Sequence, residues 1–107
     1  MSKYIDGFIL VIPKDKTEEY RKMAEMGRDS WLKHGALEYY ETRGDDLSPM
    51  VMGDIKTRTF REMSGATEND SVWLSFTVFE SKEHRDEVKA KVNEEMSQLG
   101  DMANFTM

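Results

Sequence analysis

The 107 residues allow one domain with a single hydrophobic core and exclude a second domain. The absence of cysteine excludes disulfides, thiolate metal sites and cysteine nucleophiles. The formal net charge of −6, with 15 basic residues interleaved among 21 acidic ones, disfavours nucleic-acid binding because the average surface repels phosphates.

The first third of the chain predicts a strand followed by a helix. Residues 4–12 are rich in β-branched and aromatic side chains, and Pro13 ends the run. The segment Asp15-Lys16-Thr17-Glu18 has the pattern of a capping box with Asp15 as N-cap. Apolar and small residues then recur at helical spacing, and the helix is expected to end at His34-Gly35, with Gly35 in the left-handed conformation.

The rest of the chain predicts two more strands and a long helix. Residues 36–42 form the second strand, and residues 72–79 form the clearest one. Between them we expect a short edge strand at 50–52 and 55, one helical turn at 60–63 and a polar loop at 64–71. Ser81 is the expected N-cap of the last helix, which should end at Gly100 and leave residues 101–107 for a very short strand at most.

This order predicts one domain over residues 1–107 with an α+β, ferredoxin-like architecture. Two helices cross one face of an antiparallel sheet, and the fourth strand of that fold is short or missing. No window approaches the roughly 20 apolar residues of a membrane span, and the first residues lack a signal-peptide core. We therefore expect a cytoplasmic protein with no membrane contact.

Strand alternation sorts the side chains into two faces of the sheet. The aliphatic set is expected to face the helices: Ile5, Gly7, Ile9, Val11, Val72, Leu74, Phe76 and Val78. The opposite face would then carry an aromatic and polar set: Tyr4, Asp6, Phe8, Glu38, Tyr40, Trp73, Ser75 and Thr77. Such a face fits either a small-molecule pocket or a dimer interface, and the sequence favours neither over the other.

Asp6 is a carboxylate inside the most hydrophobic segment of the chain. A carboxylate removed from water must be paired, hydrogen-bonded or neutralised. The sequence leaves three roles open: an ion pair with Arg85 or another basic residue, a general base, and an anchor for a ligand cation.

His84 is expected in the first turn of the last helix, on its inward side. It is a candidate acid or base, a candidate metal ligand, or a structural residue. His34, Glu38 and His84 match no recognised metal-ligand spacing, so the sequence predicts no metal and no other cofactor.

Three segments together resemble the YbaA-like bacterial family of unknown function, and the likeness covers residues 3–95. They are Tyr4-Ile5-Asp6-Gly7-Phe8, Trp31 to Tyr39, and Ser81-Lys82-Glu83-His84-Arg85-Asp86. The resemblance implies the dimeric α/β-barrel superfamily, in which two ferredoxin-like subunits close a barrel with facing sheets. Family members usually continue past the last helix into a fourth strand, whereas this sequence ends at Met107.

The residues and the resemblance together predict a homodimer that binds a small apolar or aromatic molecule on the inner sheet face. The expected wall residues are Asp6, Glu38, Tyr40, Trp73, Thr77 and Arg85. One alternative is a cofactor-independent monooxygenase or isomerase, with Asp6 or His84 as the base. Another is a non-catalytic interaction module, and RNA binding is the least favoured.

Overall fold

Three strands and three α-helices build residues 2–48, 53–54 and 57–103, the parts of the chain that the computed structural model describes. The strands are β1 (Tyr4–Pro13), β2 (Glu38–Arg43) and β3 (Asp70–Phe79). The helices are α1 (Thr17–Lys33), α2 (Phe60–Ser64) and α3 (Lys82–Ala103). The predicted edge strand at 50–52 and 55 falls outside the described residues.

The sheet is antiparallel throughout, in the order β1-β3-β2. In its register Asp6 lies opposite Thr77, and Glu41 lies opposite Ser75. Placing the last strand between the first two is the ferredoxin-like arrangement, which confirms the predicted α+β fold. Within the described residues no fourth strand accompanies β1, whose second edge is therefore unpaired there.

Three predicted element boundaries differ in the structure. The capping box is wrong, because a 3₁₀ turn at Lys14–Lys16 precedes α1 and no side chain caps either segment. Thr17 Oγ1 instead donates to the carbonyl of Lys14, at 2.9 Å. The second strand begins at Glu38, two residues later than expected, and α3 runs past Gly100 to Ala103.

Two other predictions for the helix ends are confirmed. Gly35 follows α1 with φ of 115°, a conformation that a side chain would strain. Ser81 Oγ accepts the backbone N–H of His84 at 3.1 Å, which is the bond of an N-cap. The predicted helical turn at 60–63 is α2, and Thr59 caps it by accepting from Glu62 N–H.

The predicted faces of β1 and β3 are reversed in the structure, whereas β2 has its predicted orientation, with Glu38 and Tyr40 turned away from the helices. α1 and α3 lie on the face of Tyr4, Asp6, Trp73, Ser75, Thr77 and Phe79. The Trp73 ring lies 5.1 Å from Tyr20 of α1, and the Phe79 ring lies 5.8 Å from Trp31 of α1. The prediction failed because polar atoms on this face find partners when buried: Trp73 Nε1 donates to Ser71 Oγ at 2.9 Å.

The core under the helices is small. Phe79, Val88, Val92 and Ala36 are buried at its centre, and Tyr4, Trp31 and Met96 pack around them. The other sheet face keeps a large apolar area in contact with solvent, including Ile5 at 57% exposure and Ile9 at 40%. We call this surface, formed by Ile5, Ile9, Val11, Tyr40 and Phe76, the open face.

None of the helices in the described ranges has the length and apolar character that crossing a membrane requires. The longest, α3, begins Lys82-Glu83-His84-Arg85-Asp86 and stays charged along its length.

Candidate functional site

A cavity of about 600 Å³ lies between the sheet and the two long helices. β1, β2 and β3 form its floor, and α1 and α3 form its sides. Its lining includes Asp6, Phe8, Tyr20, Trp31, Tyr39, Glu41, Ser75, Thr77, Arg85 and Lys89. Two neighbouring cavities, of about 490 and 330 Å³, share Tyr39 and Glu41 with it.

Glu41 is the carboxylate at the junction of these cavities. Its Oε1 accepts hydrogen bonds from Tyr39 Oη at 2.6 Å and Ser75 Oγ at 2.9 Å. Its Oε2 accepts one from Tyr20 Oη at 2.7 Å. Strand alternation puts Tyr39 and Glu41 on the same face of β2, and Ser75 is Glu41's cross-strand neighbour on β3. Three elements therefore direct hydroxyl groups onto one carboxylate.

The two tyrosines of this cluster are held in their neutral form. Burial, then the hydrogen bond to Glu41, raises the pKa of Tyr20 above its usual range. The same two causes, in the same order, raise the pKa of Tyr39. Both side chains are therefore stable hydroxyl donors at neutral pH, and they contribute no charge to the site.

Asp6 meets Arg85 at another part of the main cavity. Arg85 Nη1 donates to both carboxylate oxygens of Asp6, at 2.8 and 2.9 Å, and its Nε donates to Asp86 at 2.8 Å. The guanidinium also lies over the Tyr4 ring, 5.1 Å from its centroid. Of the three roles that the sequence left open for Asp6, the geometry matches the ion pair with Arg85.

His84 lies at the start of α3, outside the set of described residues that line these cavities. Its Nδ1 accepts the backbone N–H of Glu80 at 3.0 Å, which places the proton of the neutral ring on Nε2. The ring meets Phe79 edge-on, with centroids 5.9 Å apart. These contacts place the His84 ring at the junction of β3 and α3.

The residues considered for a metal site do not come together. His34 Nε2 lies 3.0 Å from Glu95 Oε2 of α3, and Glu38 accepts a hydrogen bond from Tyr40 Oη at 2.9 Å. Across residues 2–48, 53–54 and 57–103, no three His, Asp or Glu side chains are grouped as metal ligands.

The predicted wall residues divide between the two faces. Asp6, Thr77 and Arg85 line the main cavity, and Trp73 and part of Tyr40 line the 490 Å³ cavity beside it. Glu38 and Tyr40 direct their side chains to the open face, where the Tyr40 ring stacks on Phe76 with centroids 4.7 Å apart.

Four residues of the cavity cluster were not among the expected wall residues: Tyr20, Tyr39, Glu41 and Ser75. The reversal of β3 brings Ser75 to the side of the helices, next to Tyr39 and Glu41 of β2. A signal was present, since turning Tyr39 toward the helices also turns Glu41 there, and a carboxylate under a helix demands hydroxyl or amide donors.

The fold and the site define a ferredoxin-like α+β domain with a polar cluster in a cavity between its helices and its sheet. The chain belongs to the family described as a protein of unknown function, DUF1428, whose model matches residues 3–107. It is 33% identical over 105 residues to the uncharacterized protein YbaA of Escherichia coli strain K12, covering 96% of this chain and 86% of that protein. The identity and coverage are the same for the YbaA proteins of Escherichia coli O157:H7 and Shigella flexneri. The predicted membership of a YbaA-like family is confirmed.

Proposed function

We propose that this chain is a cytoplasmic homodimer in which each subunit binds a small, partly apolar or aromatic molecule in the cavity between the sheet, α1 and α3. The observation that carries the proposal is the Glu41 cluster in the wall of that cavity. The site therefore lies on the opposite side of the sheet from the inner face that the sequence favoured.

The size and lining of the cavity support ligand binding. Its volume of about 600 Å³ lies within the range of roughly 300–1,000 Å³ that is usual for small-molecule sites. Such sites combine apolar and aromatic walls with a few converging polar groups. Here Phe8, Tyr20 and Trp31 provide aromatic surface, and Glu41 with Ser75 provides the polar groups.

Binding is better supported than a reaction that uses the two candidate bases. Asp6 is engaged by both contacts from Arg85, and His84 uses Nδ1 to hold the Glu80 N–H. A base takes up a proton, which would cost Asp6 its ion pair with Arg85 and would remove the acceptor atom of His84 from the Glu80 N–H. The oxygenase and isomerase alternatives would therefore need a different base.

A saturation experiment with a neutral aromatic probe tests the proposed site. Naphthalen-2-ylmethanol is titrated into the ¹⁵N-labelled protein while backbone amide signals are followed by NMR. Amides of cavity residues, such as Thr77 and Arg85, should shift along one saturable curve, and the amide of Met63 in α2 serves as the remote reference. Shifts that never saturate, or that map only to the open face, would contradict the proposal.

The dimer is proposed from the open face. Isolated apolar side chains on a surface are ordinary, but a continuous patch marks an interaction site. Here Ile5, Ile9, Val11 and Tyr40 are between 37% and 57% exposed on one face of the sheet, whereas an antiparallel sheet usually has one buried and one polar face. A second copy of the same sheet, related by a two-fold axis, is the partner that covers such a surface symmetrically.

Ile5→Glu tests the dimer. More than half of the Ile5 side chain is exposed within one subunit, so the charge should leave the subunit folded and should prevent two open faces from meeting. We expect a dimer at micromolar concentration in sedimentation velocity and a monomer for this variant. Met26→Glu on α1, another exposed apolar position, is the matched control and should remain dimeric. A wild-type chain that sediments as a monomer would refute this part of the proposal.

A further inference from the structure

We infer that the ligand of this cavity carries a protonated amine or a related organic cation, which pairs with Glu41. This inference rests on the proposed binding function and names the chemical class of the ligand. It starts from the difference between the two carboxylates in the same cavity wall.

The first argument concerns charge. Asp6 has a cationic partner in Arg85, at 2.8 Å. Glu41 has three neutral hydroxyl partners, and among the described residues no basic side chain comes within 4 Å of it. Hydroxyl donors solvate a carboxylate without cancelling its charge, and a charge partly removed from water gains most from an opposite charge nearby. The ligand is the group that can supply that charge.

The second argument concerns the unused acceptor capacity of Glu41. A carboxylate offers about four lone-pair positions, two on each oxygen. Tyr39 and Ser75 occupy both positions on Oε1, whereas Tyr20 occupies one on Oε2. One position on Oε2 remains for a donor from the ligand, and an ammonium group is such a donor.

The third argument concerns the aromatic surface around the carboxylate. Tyr20, Trp31 and Tyr39 line both the 600 Å³ and the 330 Å³ cavities together with Glu41. The face of an aromatic ring carries negative potential and attracts organic cations, and sites for quaternary ammonium ligands are built from such rings. A carboxylate flanked by aromatic rings therefore matches an ammonium group better than an anion.

The basic groups near the site are paired with other carboxylates or are exposed to solvent. Arg85 faces Asp6 and Asp86. Three arginines line the 490 Å³ cavity, and all three are exposed to solvent: Arg21 donates to Glu18, Arg28 donates twice to Asp29, and Arg43 is the third. Lys89 is an exposed residue of the cavity rim. An anionic ligand would therefore meet Glu41 without a free buried cation to compensate for the repulsion.

A matched pair of probes tests the inference: naphthalen-2-ylmethylamine, which is cationic at neutral pH, and the neutral naphthalen-2-ylmethanol. Both affinities are measured by isothermal titration calorimetry. We expect the amine to bind about tenfold more tightly or better, because a hydrogen bond to a charged group is worth more than a neutral one. Glu41→Gln should remove this preference, because the amide carries no charge to pair with the ammonium group.

Glu38→Gln is the matched control. It removes the same charge from the same strand, but its side chain lies on the open face and binds Tyr40. The amine preference should survive in this variant. If long-range charge alone attracted the amine, both variants would lose the preference equally, and the inference would be wrong.

The outcomes separate the inference from the proposed function. If neither probe binds, both fail. If the two probes bind equally well, or if the preference persists in Glu41→Gln, the binding function stands and the cation inference fails. Should Glu41→Gln not fold, the side-chain carboxyl ¹³C signal of Glu41 is followed in the wild type. It should shift with the amine and not with the alcohol, and an unchanged signal would overturn the inference.

Discussion

Asp6→Asn should destabilise the protein by about 2 kcal/mol, a value that follows from how deeply the Asp6–Arg85 pair is buried. The Asp6 side chain is 22% exposed and that of Arg85 is 17% exposed. Breaking a fully buried pair costs about 3–5 kcal/mol, and exposed pairs contribute about 0–1 kcal/mol. The substitution lies between these limits because asparagine still accepts one hydrogen bond and Asp86 still holds the Nε of Arg85.

Urea unfolding measures this loss, and thermal unfolding should show a fall of roughly 10 °C in Tm. Asp86→Asn is the matched control. It removes the other carboxylate from the same guanidinium, but the Asp86 side chain is 57% exposed, so the loss should stay below about 0.5 kcal/mol. Arg85→Gln, alone and combined with Asp6→Asn, completes a double-mutant cycle. Its coupling energy measures the interaction between Asp6 and Arg85.

Equal losses in Asp6→Asn and Asp86→Asn would refute the reasoning, because burial would then have no influence on the pair. An Asp6→Asn variant that kept its stability but no longer bound naphthalen-2-ylmethanol would also refute it. That result would make Asp6 a ligand group and not the structural partner of Arg85.

Three further predictions concern pH and the histidine. The pKa values of Tyr20 and Tyr39 are raised in the folded protein. The neutral forms of these two side chains therefore contribute their full stability below pH 10, and this contribution is lost as the pH rises above it. Measured by tyrosinate absorbance, two of the four tyrosines should ionise only as the protein unfolds. The hydrogen bond from Lys33, with smaller effects from the other partners of Glu95, lowers the pKa of Glu95 from 4.5 to about 2. The ionised Glu95 therefore stabilises the fold above pH 4.5, and this stabilisation is lost as the pH falls toward 2. Glu95→Gln should flatten the acid-unfolding curve in that interval, and an unchanged curve would contradict the assignment. His84→Ala should lower the free energy of unfolding by about 1–2 kcal/mol in urea, because the contact of the ring with the buried Phe79 and the hydrogen bond to the Glu80 N–H are both lost, and should not change the affinity for naphthalen-2-ylmethanol.

The elements of the fold followed from local sequence signals. Gly35 after α1 acts through its own backbone conformation, and Ser81 before α3 acts through a bond to a near neighbour, so the local sequence contains the whole cause. The end of α3 did not follow, because Gly100 permits a helix to end without requiring it.

The faces of the sheet could not be predicted from hydrophobicity alone. Both sides of β1 and β3 are apolar enough to be buried, and the choice depended on polar contacts between distant residues. Ser71 accepts from Trp73 and donates to the carbonyl of Ile12, a contact across 59 positions of the chain. The burial of Glu41 depends in the same way on a hydrogen bond from Tyr20 of α1, and no local sequence pattern predicts that partner.

β2 contains the palindrome Glu38-Tyr39-Tyr40-Glu41, and its two halves make similar pairs on opposite faces. Shifting the strand by one residue would exchange its faces, and it would again offer the helices one tyrosine and one glutamate. The strand therefore does not specify its own register through composition. That specification comes from its surroundings, where Tyr20 and Ser75 donate to Glu41 and Gly27 of α1 leaves space beside the Tyr39 hydroxyl. Tyr20 and Ser75, which donate hydrogen bonds to the Glu41 carboxylate of the candidate site, thus also favour the correct register of β2.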